Sequence, residues 1–171
     1  MSETNTEINK TAGNESEVKA EKKTTKSEST EKYIAVVQVR GLAGVRAKVK
    51  DTLRMLGLTR VNQCVLVENN PSLTGMLVKV KDYTTYGPVK MDMVKKLVAA
   101  RGLEYQGRLQ DSKSKYTYST FEYEGKKYKK CFRLNPPRKG FGRAGIKKGF
   151  TVGGTLGNRG EKITELIERM M

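Results

Sequence analysis

Along the chain the apolar residues alternate between two spacings: unbroken runs of strand length, and recurrences at three and four. Residues 33–40, YIAVVQVR, are a continuous apolar run closed by GLAG, and they predict a central strand. Val45, Val49, Leu53 and Leu56 then recur at helical spacing, with Gly57 where a left-handed cap ends a helix. Residues 63–68, QCVLVE, predict a second buried strand. In the helix that follows, Asn70 is placed as N-cap, Pro71 as the first helical residue, and Leu73, Met76, Leu77 and Val80 as the apolar face. TTYG at 84–87 breaks the pattern, and a third helix over about 90–101 uses Val94, Leu97 and Val98 before Gly102 stops it.

From Leu103 the pattern turns polar and then aromatic. Six of the chain's twelve aromatic residues fall between Tyr116 and Phe132, around a turn-forming Glu124-Gly125 pair, and they predict a hairpin. Cross-strand packing explains those rings; a base-stacking platform ringed by Lys126, Lys127, Lys129 and Lys130 is the sharper alternative. Packing is preferred, because alternation alone puts aromatics on both faces. Between 134 and 160 the chain has eight glycines and six cations, which disfavours a regular helix or a long central strand. At the end of the chain, Asn158 and Glu161 are placed as a capping box, and Ile163, Leu166, Ile167 and Met170 form the stripe of a last helix.

Charge narrows the choice of partners. The 171 residues carry a formal +16, which favours a polyanion, nucleic acid first and an anionic membrane surface second. Residues 1–32 hold six lysines against seven acids, so residues 33–171, with 28 cations and 11 acids, carry all the excess. That opening segment is rich in Ser, Thr, Glu and Lys with scattered apolar residues, and it predicts a disordered polar tail. It lacks the apolar core of a signal peptide, and no run approaches the roughly 18 apolar residues of a membrane span, so a cytoplasmic protein is expected. Cys64 and Cys131, without any histidine, cannot complete a tetrahedral zinc site and are expected to be buried free thiols.

The stretch RKGFGRAG at 138–145 is where competing functions meet. Gly140, Gly142 and Gly145 satisfy the spacing of a dinucleotide-binding turn, but NPPRK precedes them and no helix opens after Gly145. KGFG copies half of the RNA-recognition-motif signature, and Arg143 and Ala144 then stand where an aromatic residue and Val belong. The preferred reading is a basic loop whose glycines let backbone amides approach phosphates, with cations at Arg138, Lys139, Arg143, Lys147, Lys148 and Arg159. Such a loop is expected to be mobile until it meets RNA. Arg46, Lys48, Lys50 and Arg54, balanced only by Asp51, lie mostly off the first helix's apolar stripe; a solvated face and a phosphate-facing one are both open.

Two blocks, VRGLAGVRAKVKDTLRMLGLTRVNQCVLVENNPSLTGMLVKVKDYTTYG and FRLNPPRKGF with VGGTLGNRGEKITELIERM, resemble the long, archaeal and eukaryotic form of the large-subunit ribosomal protein thirty family. The VENNPS and KDY segments look closer to the archaeal branch. The resemblance implies an α+β fold: a three-stranded antiparallel sheet, a ferredoxin-like variant with helices on one face, whose third strand is residues 130–135. It also implies an inserted helix and hairpin over 90–128, between the second helix and the third strand, a C-terminal helix, and one RNA-binding domain over 33–171. It further implies a structural, non-catalytic constituent of the large ribosomal subunit, monomeric there, without cofactor or metal, bound to large-subunit ribosomal RNA beside neighbouring ribosomal proteins. The matched positions expected to meet RNA are Arg40, Arg46, Lys48, Arg54, Arg60 and Asn62, then Arg138 and Lys139 after Pro136 and Pro137, and Asn158 and Arg159. The rival readings are a nucleotide-using enzyme built on 140–145 and a free-standing RNA chaperone or regulator.

Overall fold

The computed structural model describes residues 32–171, so all but the last residue of the expected polar tail lies outside the described residues. Strand β1 (Tyr33–Gln38) is the middle of a five-stranded sheet, because its residues are apolar on both faces. It pairs antiparallel with β2 (Gln63–Glu68) on one side and with β3 (Thr84–Val89) on the other. Strand β6 (Cys131–Arg133) adds antiparallel to the outer edge of β2, and the two-residue β7 (Gly157–Asn158) adds parallel to β3. A separate antiparallel hairpin joins β4 (Thr120–Tyr123) to β5 (Lys126–Lys129).

Alternation along β1 divides the interior into two layers. Val36, with Ile34 beside it, joins Leu53 and Leu56 of α1 (Ala47–Leu56) and Leu77 and Val80 of α2 (Pro71–Val80). Ala35 and Val37 join Val94 and Leu97 of α3 (Met91–Arg101) and Ile163, Leu166 and Ile167 of α4 (Ile163–Met170). The α+β class is therefore as expected, but helices cover both faces of the sheet, because a strand apolar on both sides needs two covers.

The third strand also differs. Residues 84–87, read as a break, begin β3, and residues 131–133 supply an outer strand instead, so 90–128 follows the third strand. Gly87 and Pro88 mimic a turn but are tolerated for separate reasons. At Gly87 a side chain would overlap the Gly160 carbonyl oxygen and sit 3.1 Å from Ile163 Cγ2, so glycine is what lets the start of α4 lie on the strand. Tyr86 turns its carbonyl to the Arg159 N–H, and Pro88, two residues on, faces the same side beyond the end of β7, where no donor is needed.

Local signals decide most ends. Gly57 closes α1 in the left-handed region at φ 88°. Pro71 opens α2, but the Asn70 side chain makes no capping bond; its carbonyl accepts from Thr74 N–H and Oγ1 instead. The expected box at the last helix is likewise replaced: Asn158 Oδ1 accepts from Gly160 N–H at 2.9 Å, starting a 3-10 turn (Gly160–Lys162) ahead of α4. Glu124 and Gly125, at φ 50° and 74°, make the predicted hairpin turn. Phe121 then stands edge-on to Tyr33 and Phe132 at 5.9 and 6.2 Å, which places it in the core layer of α3 and α4.

Cys64 and Cys131 are both free, and their neighbours put them on opposite faces of the sheet. Burial pushes the Cys64 thiol up to about 12, whereas Cys131 is only half-buried, short of the burial expected of it. Brief alkylation of the native protein at mildly alkaline pH should therefore modify Cys131 alone, with a second adduct only in denaturant; equal labelling by mass spectrometry would refute the two environments. Gly87→Ala should lower stability by roughly 1–3 kcal/mol through overpacking, read from urea unfolding, and an unchanged midpoint would show that the contact with α4 is loose.

Candidate nucleic-acid interface

Strand register defines one end of the sheet. Gln38 lies opposite Thr84, Val37 opposite Cys64 and Gln63 opposite Arg133, so the end of β1, the starts of β2 and β3 and the end of β6 lie together. Arg40 leaves this end with its guanidinium carbon 5.3 Å from the Tyr83 ring centroid and Nη1 donating to Asp82 O at 3.4 Å. Gln63 Oε1 accepts from the backbone N–H groups of Thr59 and Arg60 at 2.9 and 3.0 Å, which shapes the approach to β2 and leaves Arg60 exposed. Arg133, which sequence reasoning left out of the site, is exposed beside them; its position at the end of a short strand was the available signal.

The glycine-rich stretch is built onto the same end. Asn135 N–H donates to Met170 O at 2.9 Å and Arg138 N–H to Arg169 O at 3.1 Å, tying the buried Pro137 segment to the end of α4. Lys139 and Gly140, at φ 65° and 75°, turn the chain. Ala144 N–H then reaches Gly153 O, Thr155 N–H reaches Lys148 O and Phe150 N–H reaches Leu156 O, at 3.2, 2.9 and 2.8 Å. A side chain at Gly154 would overlap the Lys148 carbonyl, so the two limbs of the loop lie against each other. The segment expected to be mobile is thus folded back on its own backbone, and no helix opens at Gly145, as the dinucleotide reading would require.

On this frame the side chains of Arg138, Lys139, Arg143, Lys147 and Lys148 are exposed. Four ion pairs occur among the described residues, and none includes these five, Arg40 or Arg60. Arg169, also missed in the sequence, turns Nη1 toward Gly140 O at 3.5 Å. On α1, Arg46 and Lys48 are exposed at an N-terminus with no side-chain cap and no acid in its first turn, which leaves the positive end of the helix open. Lys50 is half-buried, and exposed Arg54 lies 3.9 Å from Asp51 Oδ1.

Two expected contacts turn inward. Arg159 is 8% exposed, its guanidinium carbon 4.6 Å from the Phe150 ring centroid, with Nε near Thr85 Oγ1 at 3.4 Å and Nη2 near Thr155 O at 3.5 Å. Desolvation, helped by the charge of Arg169, holds its pKa below the usual arginine range. Arg159 therefore braces β3 against the loop instead of facing outward. Asn62 sits at φ 63° as a backbone joint, its N–H on Gln38 O and its carbonyl on Leu134 N–H, while Oδ1 is buried without a protein partner. Asn158 is exposed, but its Oδ1 is taken by the turn before α4.

The chain has no histidine, and among the described residues no three acid or thiol side chains gather as metal ligands. No described helix is long and apolar enough to cross a membrane. Fold and site together define a basic α+β protein that presents cations from one end of its sheet. The profile of the family described as Ribosomal protein L30p/L7e matches residues 34–84, from β1 to the start of β3. The large ribosomal subunit protein uL30 of Methanococcus maripaludis is 43% identical over 151 residues, spanning 80% of this chain and 98% of the relative. Those of Methanopyrus kandleri and Methanocella arvoryzae are 44% identical over 149 residues and 37% over 152, spanning 78% and 80% of this chain and 100% and 98% of the relatives. The chain belongs to the uL30 family, as the resemblance of its two sequence blocks and their archaeal leaning suggested.

Burial separates bracing from surface cations. Arg159→Ala should cost roughly 1–3 kcal/mol of stability and Arg138→Ala less than about 0.5, measured by urea unfolding; equal effects would mean that Arg159 is no brace.

Proposed function

We propose that this protein is a structural constituent of the large ribosomal subunit, in the cytoplasm, and that it clamps large-subunit ribosomal RNA through phosphate contacts. Membership of the uL30 family supports the ribosomal role, which is structural and without chemistry of its own. The observation that carries the clamp is the set of five exposed cations, Arg138, Lys139, Arg143, Lys147 and Lys148, on a loop held by its own backbone bonds, none of them in an ion pair among the described residues. Exposed Arg60 and Arg133, with half-buried Arg40, extend that set across the end of the sheet.

Cations fixed side by side repel one another, and RNA phosphates relieve that repulsion while releasing counterions to solvent. Because the loop is folded before RNA arrives, less ordering entropy is lost on binding than for a free coil. The A-form major groove is too narrow for side-chain readout, so the selectivity of the clamp lies in the shape of folded RNA that brings several phosphates to this one end. Arg46 and Lys48 at the open start of α1 supply a further phosphate contact, and neighbouring large-subunit proteins complete the surroundings.

Filter binding of the full chain to purified large-subunit ribosomal RNA tests this. With roughly six phosphates neutralised, log K should fall against log salt with a slope of about −4 to −5, and each of Arg138→Ala and Lys147→Ala should reduce the slope by about 0.7–0.9. A slope near zero defeats the clamp.

A further inference from the structure

Among the described residues, the arm between α3 and β6 carries two exposed aromatic rings that the core does not use. Leu103 O accepts from Lys129 N–H at 2.9 Å and Tyr105 N–H donates to Lys127 O at 2.8 Å, so the arm begins as a third limb beside the β4–β5 hairpin. It then makes its own small finger: Gln110 bridges Thr117 antiparallel, Tyr118 N–H donates to Leu109 O at 2.9 Å and Asp111 N–H to Tyr116 O at 3.0 Å. Ser114, at φ 52°, sits in the turn at its tip.

The aromatic residues of the arm divide sharply. Phe121, Tyr123 and Tyr128 pack against the core, and Tyr105 is half-buried with its hydroxyl on Arg108 O at 2.7 Å. Tyr116 and Tyr118 are 62% and 50% exposed. Two positions apart, on either side of the isolated bridge at Thr117, they fall on one face where the backbone is extended, with their Cα atoms about 7 Å apart, about twice the 3.4 Å rise of stacked bases.

Cations predominate around them, although the Asp111 carboxylate lies across the finger from Tyr116. The carboxylates of Glu104 and Glu122 are taken by Lys126 and Lys127, and Asp111 Oδ1 accepts from Ser112 N–H at 2.9 Å. Arg108, Lys113 and Lys115 are exposed and form no ion pair among the described residues, and Lys115 Nζ lies 5.7 Å from the Tyr116 ring centroid. Two exposed rings on alternate residues, with three cations nearby that form no ion pair among the described residues, suit unpaired bases with phosphates beside them.

We infer that Tyr116 and Tyr118 stack on unpaired bases of large-subunit ribosomal RNA, a base-stacking contact separate from the phosphate clamp. This rests on the ribosomal RNA reading above. The contact differs in kind from the loop: it depends on ring faces and is therefore insensitive to salt, while the flanking cations hold the strand in place.

The test is filter binding of the full chain to purified large-subunit ribosomal RNA, with Tyr116→Ala, Tyr118→Ala and the corresponding Phe variants. Each alanine should weaken binding roughly 5- to 100-fold without changing the salt slope. Each phenylalanine should bind as the parent does, since the ring remains, and so should Thr117→Ala on the opposite face. If the parent binds with the expected slope and the alanine variants bind equally well, the stacking contact is overturned and the clamp stands. Should those variants bind RNA normally but leave large subunits on a sucrose gradient, the rings dock on a protein and the inference is wrong. A parent chain that does not bind the RNA overturns both.

Discussion

The constraint on which the proposed function depends is a backbone that gathers exposed cations at one end of the sheet with no ion pair to neutralise them among the described residues. Surface charges on long side chains ordinarily find a carboxylate or spread into solvent, and neither choice adds much energy. Here the backbone of 138–156 is bonded to α4 and to itself, so the points from which its cations extend are fixed, and no acid occurs in sequence between Glu124 and Glu161. Such an excess of uncompensated cations favours a polyanionic partner. The uL30 relatives are named as large ribosomal subunit proteins.

The scaffold that holds this arrangement is a sheet apolar on both faces. Val36 and Val37, neighbours on β1, belong to different hydrophobic layers, so α1 and α2 cover one side while α3 and α4 cover the other. Two contacts connect that scaffold to the basic end. Gly87 lets the start of α4 lie against β3, and Arg159 spans from Thr85 to Phe150 and Thr155. Arg159 shows how one residue type can serve two ends: as a cation it adds to the field, and as a planar group stacked on a ring it packs the joint.

Much of this was legible in the sequence because it rests on local periodicity. The runs at 33–40 and 63–68, the stripes of the four helices, the cap at Gly57 and the turn at Glu124-Gly125 all carry their own signals, and the elements form there, except that β1 ends at Gln38 and Val45 precedes α1 instead of opening its stripe. The failures share a cause in distant contacts. β3 was hidden because Gly87 and Pro88 read as a break, and only the contact with α4 and the end of β7 make them acceptable in a strand. β7, at two residues, is too short to leave a pattern. The inward turn of Arg159 and Asn62 was invisible because composition reports that a polar group exists, not which way it faces; Phe150 and Gln38, their partners, carry no local mark of that role.

Amide hydrogen exchange of the full chain, with and without purified large-subunit ribosomal RNA, tests the central claim most directly. RNA should slow exchange over 138–154 and around Arg40 and Arg60, while α3 exchanges as before. Unchanged exchange in that loop, with protection appearing over α3 instead, would contradict it.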